Sequence, residues 1–171
     1  AGIHLLDAES GQYNEPFVTP ELSLVRGYQR QQGIVYRAGD QRFAERLPHD
    51  AIAAATGDKD CVMVNRNQGS GTRILIDRLL GENQPPGYAV QVKNHHAVAA
   101  AVAQQRADWG VAIKTVISSH RGLAFLPLES EQYDFVIPKT RQTQPAVKAF
   151  VALLRAPSTG QALTKLGFGA R

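Results

Sequence analysis

The sequence predicts an α/β fold in which a mostly parallel sheet is flanked by helices. Residues 61–65 contain the continuous apolar run CVMV, which is typical of a strand buried on both faces. Residues 71–80 follow it and carry leucines at helical spacing. The alternation recurs downstream, because the alanine-rich helix predicted at 96–107 lies between strands predicted at 88–94 and 109–113.

The N-terminal part of the chain is predicted to be mainly extended. Residues 2–6 (GIHLL) are apolar and predict a strand, whereas residues 7–17 contain Asp, Ser, Gly, Asn and Pro and predict a loop. Two further extended segments are predicted at 22–29 and 32–37. Residues 42–55 are predicted to be helical in part.

Glycine and proline residues refine these N-terminal elements. Gly27 and Gly33 fall inside the extended segments, so we expect a bend or bulge at each of them. Pro48 is tolerated in the first turn of a helix, where its missing N–H has no intrahelical partner in any case.

The C-terminal part is predicted to contain a short helix, two strands and two further helices. The short helix is expected at 114–121 and the strands at 124–128 and 134–139. Pro145 opens the next helix, in which apolar residues recur at i, i+3, i+4 and i+7. A last helix is expected at about 158–166. The apolar stripe consists of Val147, Phe150, Val151 and Leu154.

The composition is typical of a folded protein and shows no basic run that would indicate nucleic-acid binding. Of 171 residues, 43% are hydrophobic and 20% are charged. The formal net charge is +4, but Lys and Arg are spread along the chain without a basic run. The segment from Arg26 to Arg46 holds five arginines and no lysine, but it is predicted to form strands and a loop. We therefore expect no direct contact of this segment with nucleic acid.

The single cysteine and the hydropathy pattern indicate a soluble chain without a disulfide. Cys61 lies in an apolar strand, where a buried and unreactive thiol is expected. No apolar stretch approaches the roughly 20 residues that span a bilayer. The first residues lack the basic start and long apolar core of a signal peptide.

A candidate anion site lies at residues 65–73 (NRNQGSGTR), between the carboxyl end of a strand and the start of a helix. Its glycines allow close approach of the backbone, and its hydroxyl groups are donors at the electropositive helix end. An oxyanion suits such donors, and an arginine can add a charge-assisted bond. The glycines are Gly69 and Gly71, the hydroxyl residues are Ser70 and Thr72, and the arginines are Arg66 and Arg73.

Other interpretations of this turn remain open. Ser70 can act simply as a helix cap with nothing bound, as in a pure interaction domain. The turn does not match a nucleotide-binding loop, because no lysine follows the second glycine. It does not match the G-x-S-x-G motif of a nucleophile elbow either. A small serine hydrolase using Ser70 is a further alternative. However, the chain has five histidines and 15 acidic residues, so a set of residues for a Ser-His-Asp triad can be chosen from the sequence by chance. We therefore expect no catalytic residues.

A second helix start is predicted at residues 93–101 (KNHHAVAAA). Asn94 can cap it, and His95 and His96 lie in its first turn, where the positive helix end disfavours imidazolium. Neighbouring side chains on a helix point about 100° apart, and no third ligand has suitable spacing, so we expect no metal site. One ring is expected to pack or cap while the other lines a cleft.

The chain resembles the periplasmic-binding-protein-like domain of the molybdate- and tungstate-binding family. The matching blocks run in order along nearly the whole chain and are more specific together than GSGT alone. They are AGIHLLD with GQYNEPF (1–17), QQGIVYRAGD (31–40), VNRNQGSGTRILID (64–77), HHAVAAAVAQQRADWGVAI (95–113) and GLAFLPLESEQYDFVIP (122–138).

The resemblance implies a type 2 binding-protein fold with two lobes and a tetrahedral oxyanion held between them without chemistry or cofactor. Molybdate or tungstate, and alternatively sulfate, is the implied ligand. The second lobe would be complete at 34–131, and 1–33 with 132–171 would form an incomplete first lobe. The implied ligand-binding residues are Asn65, Arg66, Gly69, Ser70, Gly71, Thr72, Arg73, Asn94, His95 and His96.

The chain departs from the family at its start. Roughly 50 to 60 residues that precede the AGIHLLD block in the family are not in this sequence. We therefore expect weakened or absent binding, and the bare edge of the first lobe is a candidate surface for a homodimer. Family members are often fused to a DNA-binding segment or a molybdenum-cofactor biosynthesis enzyme, which implies a sensor or carrier role in the cytoplasm. A signal peptide in the missing segment would instead imply the periplasm.

Overall fold

The computed structural model describes residues 1–7 and 9–169, which divide into two compact units. Unit 1 comprises Ala1–Gln31 and Ser130–Arg171, and unit 2 comprises Gln32–Glu129. The predicted bounds of the second lobe, 34 and 131, each lie two residues further along the chain than the bounds of unit 2. Whether unit 1 is an incomplete lobe stays a prediction.

The described residues form six strands and five α-helices, in an alternating order that confirms the predicted α/β class. The strands are β1 (Gly2–Ile3), β2 (Leu22–Arg37), β3 (Met63–Arg66), β4 (Gln91–Val92), β5 (Trp109–Ile113) and β6 (Leu123–Pro138). The α-helices are α1 (Pro48–Gly57), α2 (Gly71–Leu80), α3 (His95–Ala103), α4 (Pro145–Arg155) and α5 (Pro157–Lys165). Short 3-10 helices occupy Glu15–Phe17, Lys114–Ser119 and Lys139–Arg141.

Two long strands replace four predicted short ones. β2 and β6 each run for 16 residues without interruption, so neither Gly27 nor Gly33 ends a strand, and the bend or bulge expected at each of them stays a prediction. At Gly27 a Cβ atom would collide with the carbonyl oxygen of Tyr133, and at Gly33 with that of Leu126. These glycines therefore allow β2 and β6 to lie close together rather than turning the chain.

The sheet is mixed, and not mostly parallel as predicted. In unit 2, β5 runs antiparallel to β2, with Tyr36 opposite Trp109, and parallel to β3. β3 is also parallel to β4, and in unit 1 β1 is antiparallel to β6. Parallel neighbours need a long crossover connection, and α2 and α3 provide the crossovers among the parallel strands β3, β4 and β5.

Unit 2 has a hydrophobic core on each face of its strands. Ile34 and Met63 belong to one core, and Val35 and Val64 to the other, so adjacent residues of β2 and β3 point in opposite directions. Residues of α1 and α2 complete the first core, and residues of α3 complete the second. Burial on both faces explains why the run CVMV is continuously apolar.

A charged cluster lies at the amino ends of β3 and β5. Asp108 pairs with Arg37 and with Arg42, at 3.2 Å from the latter, and accepts the backbone N–H of Val62 at 2.8 Å. Arg42 also binds Asp40 at 2.7 Å. The hydrogen bond from Arg42 lowers the pKa of the Asp40 carboxyl group. These arginines of the 26–46 segment are thus held by neighbouring carboxylates.

Unit 1 contains a buried polar network that fixes the predicted loop at 7–17. Asn14 is fully buried with a φ of 63°, and its Oδ1 accepts the N–H of Leu5 at 2.8 Å. Its amide nitrogen donates to Asp134 at 2.9 Å, and the other Asp134 oxygen accepts the N–H of Gly27 at 2.8 Å. One asparagine therefore ties the loop to both long strands.

Candidate functional site

The turn between β3 and α2 forms as a capped helix start. Ser70 has extended backbone angles, and its hydroxyl accepts the N–H of Arg73 at 3.2 Å while donating to the carbonyl of Asn67 at 2.9 Å. Gly69 has a φ of 78°, and the space around it is open. Ser70 is thus the N-cap residue of α2, and its hydroxyl is engaged within the turn. Its role as a ligand donor stays a prediction.

The turn between β4 and α3 has the same construction. Asn94 is the N-cap residue, and its side-chain oxygen accepts the N–H of Ala97 at 2.8 Å. His95 is half-buried in the first turn, whereas His96 is exposed. The helix start therefore agrees with the expected capping by Asn94.

The parallel pairing of β3 with β4 brings the two helix starts to one edge of the sheet. Asn65 lies opposite Gln91, and Arg66 lies opposite Val92. The two turns are joined by the bond from the Asn67 N–H to the Val92 carbonyl, at 3.1 Å. The predicted residues at 65–73 and 94–96 are therefore brought together within unit 2.

Arg66 connects these two turns through its side chain. It is 7% exposed, and its Nη1 lies 3.0 Å from Nδ1 and 3.3 Å from Nε2 of His95. Its Nη2 donates to the carbonyl of Lys93 at 3.2 Å. A buried positive charge therefore lies beside the first turn of α3.

Arg73 has its charge balanced by a carboxylate. Its Nε donates to both oxygens of Asp77, at 2.7 and 2.9 Å, and its Nη2 donates to the Tyr88 hydroxyl at 2.7 Å. The guanidinium also lies over the Tyr88 ring, 4.6 Å from its centre. The Arg–Asp spacing of i,i+4 was the signal for this pair, whereas nothing in the sequence indicated Tyr88.

Asn65 and Thr72 lie inside the structure around the turn. Asn65 is fully buried, donates to the carbonyl of Tyr88 at 3.0 Å and accepts the N–H of Arg66 at 2.8 Å. Thr72 is 4% exposed in the first turn of α2. These contacts describe supports of the turn, and ligand contacts of Asn65 and Thr72 stay predictions.

The available chemistry is that of backbone donors at paired helix ends. Capping uses the N–H of Arg73, and within the described residues the N–H groups of Gly71 and Thr72 have no acceptor in their own turn. Together with the helix dipoles and the Arg66 charge, they favour a bound anion. A nucleophile is not supported here, because the Ser70 hydroxyl contacts only backbone groups of its turn.

None of the helices formed by residues 1–7 and 9–169 combines the length and the hydropathy that a membrane-spanning segment requires.

A family model described as "PBP superfamily domain" matches residues 1–155. The chain is 35% identical over 158 residues to the protein YvgK of Bacillus subtilis (strain 168). That alignment covers 85% of the chain and 49% of YvgK, so the chain spans about half the length of this relative.

Two solved structures share the fold at low sequence identity. The regulatory domain of CcmR from Synechocystis PCC6803, in complex with 2-PG, has a TM-score of 0.63 at 14% identity, covering 90% of this chain and 70% of that one. The tungstate-binding protein TupA from Desulfovibrio alaskensis G20 has a TM-score of 0.55 at 16% identity, covering 82% and 64%. The predicted binding-protein-like fold is thereby confirmed.

Proposed function

The chain belongs to the PBP superfamily, and from that premise we propose that unit 2 binds a small tetrahedral oxyanion at the paired starts of α2 and α3. The observation that carries this proposal is the parallel pairing of β3 with β4, which places two capped helix starts side by side. Molybdate and tungstate are the ligands we propose first, with sulfate as the alternative. The tungstate-binding structure with the same fold supports this choice.

In the proposed complex, backbone groups supply the main contacts. The N–H groups of Gly71 and Thr72 donate to the anion, and Gly69 leaves the approach open. Arg66 supplies the positive charge, while Ser70 and Asn94 hold the two helix starts in place. Arg73 stabilises the turn and is not assigned a contact with the anion, since Asp77 already balances its charge. The proposed activity is binding without a chemical reaction, in agreement with a family of binding and sensing domains.

The role we propose is that of a sensor domain in a longer cytoplasmic protein. The relative YvgK is about twice as long as the stretch it shares with this chain, and the CcmR structure is that of a regulatory domain. In a sensor, the ligand acts by favouring one conformation of the domain over another. A carrier that releases its ligand to an enzyme is the alternative, and an upstream DNA-binding segment would decide for the sensor.

The test is equilibrium dialysis of the chain against tungstate, molybdate, sulfate and phosphate, with a pair of Gly71 variants. Proline is compatible with the first position of a helix and its ring replaces the N–H, so Gly71→Pro should fold but bind about tenfold more weakly. Gly71→Ala keeps the N–H and should bind like the original chain. Absence of binding by the original chain, or equal binding by both variants, would contradict the proposal.

A further inference from the structure

Helix α4 of unit 1 has an apolar stripe that the unit covers only in part. None of its residues is buried, whereas α2 buries five residues and α3 buries three. Phe150 packs edge-on against Phe135, with the ring centres 5.0 Å apart, and still remains 38% exposed. Leu153 is 63% exposed. One flank of α4 thus rests on the sheet, and another faces solvent.

A different flank of α4, which carries the half-buried Val147 and Val151, borders a groove between α4 and the beginning of β2. The groove has a volume of about 410 Å³. Gln142 and Ser23 also line it and are hydrogen-bonded to each other through their side chains. Its apolar lining consists of Leu24, Val25, Ile137, Val147, Val151 and Ala152.

The charged residues of the groove all have the same sign. Lys148 and Arg155 line it, and none of its lining residues is acidic. They are seven residues apart on α4, which is two helical turns or about 10 Å. The groove therefore combines an apolar floor with two positive charges along one side. Its occupant should carry an apolar stripe bordered by carboxylates.

We propose that this groove, which we call the α4 groove, is a docking site for an amphipathic helix of a partner protein with acidic residues beside its apolar stripe. Recognition of a helix in an apolar groove is a recurrent binding mode, in which charges at the rim set specificity and orientation. A symmetric dimer that pairs the α4 groove with itself fits less well, because it would bring Lys148 and Arg155 close to the like charges of the second copy. A flat membrane surface does not enter a concave groove. The inference is independent of anion binding.

The test uses two synthetic 15-residue peptides with the same leucine stripe, one bordered by glutamate and its twin by lysine. Fluorescence anisotropy should show binding of the glutamate peptide to the chain and not of the lysine peptide. The double variant Lys148→Glu and Arg155→Glu should bind the glutamate peptide about tenfold more weakly and should acquire binding of the lysine peptide. The matched control is the pair Lys165→Glu and Arg121→Glu, which reverses two exposed charges outside the α4 groove.

Three results would overturn the proposal. The first is that neither peptide binds, or that the charge reversal leaves binding unchanged while circular dichroism shows a folded protein. The second is that phosphatidylglycerol vesicles bind through Lys148 and Arg155 and the glutamate peptide does not, which would assign the surface to a membrane. The third is a dimer in sedimentation that Val151→Glu abolishes, which would assign it to a second copy.

Discussion

Nη1 of Arg66 lies 3.0 Å from Nδ1 of His95, so the last residue of β3 is joined directly to the first residue of α3. The same guanidinium donates to the carbonyl of Lys93, in the loop before that helix. Because Arg66 is buried, its charge is poorly screened by water at the place where the two helix starts meet. Arg66 thus has a structural and an electrostatic role at the proposed site.

Replacing Arg66 should weaken oxyanion binding more than any other charge removal in unit 2. Methionine keeps much of the volume of the side chain and removes its charge, so Arg66→Met should bind tungstate about tenfold more weakly, since charge-assisted contacts contribute about 1.5–3 kcal/mol. Calorimetry measures this change. Arg78→Met is the control, because Arg78 lies in the last turn of α2, at the end opposite to the proposed site, and pairs with Glu129. Equal affinities of the two variants would contradict the assignment.

Removing the cap of α2 should lower stability. Ser70→Ala loses a hydroxyl that accepts the N–H of Arg73, and such losses typically cost about 1 kcal/mol of the free energy of unfolding. Urea denaturation measures this cost. Ser158→Ala is a suitable control, since Ser158 is exposed and α5 has no side-chain cap. If Ser70→Ala unfolds like the control but loses tungstate binding, the hydroxyl is a ligand donor and not only a cap.

A side chain at Gly33 should destabilise unit 2. The Cβ atom of Gly33→Ala would collide with the ring of Phe125 and with the carbonyl oxygen of Leu126 on β6, and overpacking of this kind costs about 1–3 kcal/mol. Gly57→Ala provides the comparison, because nothing lies within 4 Å of its added Cβ atom and Gly57 ends helix α1. Equal midpoints of thermal unfolding for both variants would show that β2 and β6 are not packed this closely.

Helix positions were predictable because the information lies in neighbouring residues. α2 begins and ends where the leucine spacing and the GSGT turn indicated, and Pro145 opens α4 as expected. A cap or a proline acts on the backbone within one turn, so a local pattern suffices to locate it.

The long strands were not predictable, because their cause lies far away in sequence. The local sequence around Gly33 indicates a bend or bulge. The structure needs a glycine at this position because a Cβ atom would collide with the carbonyl oxygen of Leu126 on β6. The same holds for the site, where Tyr88 reaches Arg73 across 15 positions and Asn65 binds the carbonyl of Tyr88. These contacts form because β3 pairs with β4, and the sequence of one strand does not identify the strand with which it pairs.

The Cys61 thiol should be unreactive in the folded protein. It is fully buried, and burial raises the pKa of its thiol to about 12, so almost no thiolate is present near neutral pH. Dithionitrobenzoate should therefore react with Cys61 in urea and not in its absence. Rapid reaction of the folded chain would contradict the burial of Cys61 in the segment that leads into β3.

Stability should fall in acid partly through Asp40. Its pKa is below the ordinary value of 3.8, because Arg42 donates hydrogen bonds to it in the folded state. This contribution is complete above pH 3.8 and is lost as the pH falls below 3.8 through the lowered pKa. Asp40→Asn should thus be less stable at neutral pH and should lose less of its stability on acidification.

The measurement is the free energy of unfolding in urea at a series of pH values, with Glu82→Gln as the control at an exposed carboxyl group. A parallel acid limb in Asp40→Asn and in the original chain would exclude this contribution.

Unit 2 is one uninterrupted stretch of chain, whereas unit 1 is assembled from both ends of the sequence. A single recombination event spanning residues 32–129 would exchange the whole proposed oxyanion site and leave every residue of the α4 groove unchanged. Under the two proposals, ligand preference and partner choice would therefore be exchanged separately. A related protein could then bind a different anion at the proposed site while the lining of its α4 groove stayed the same.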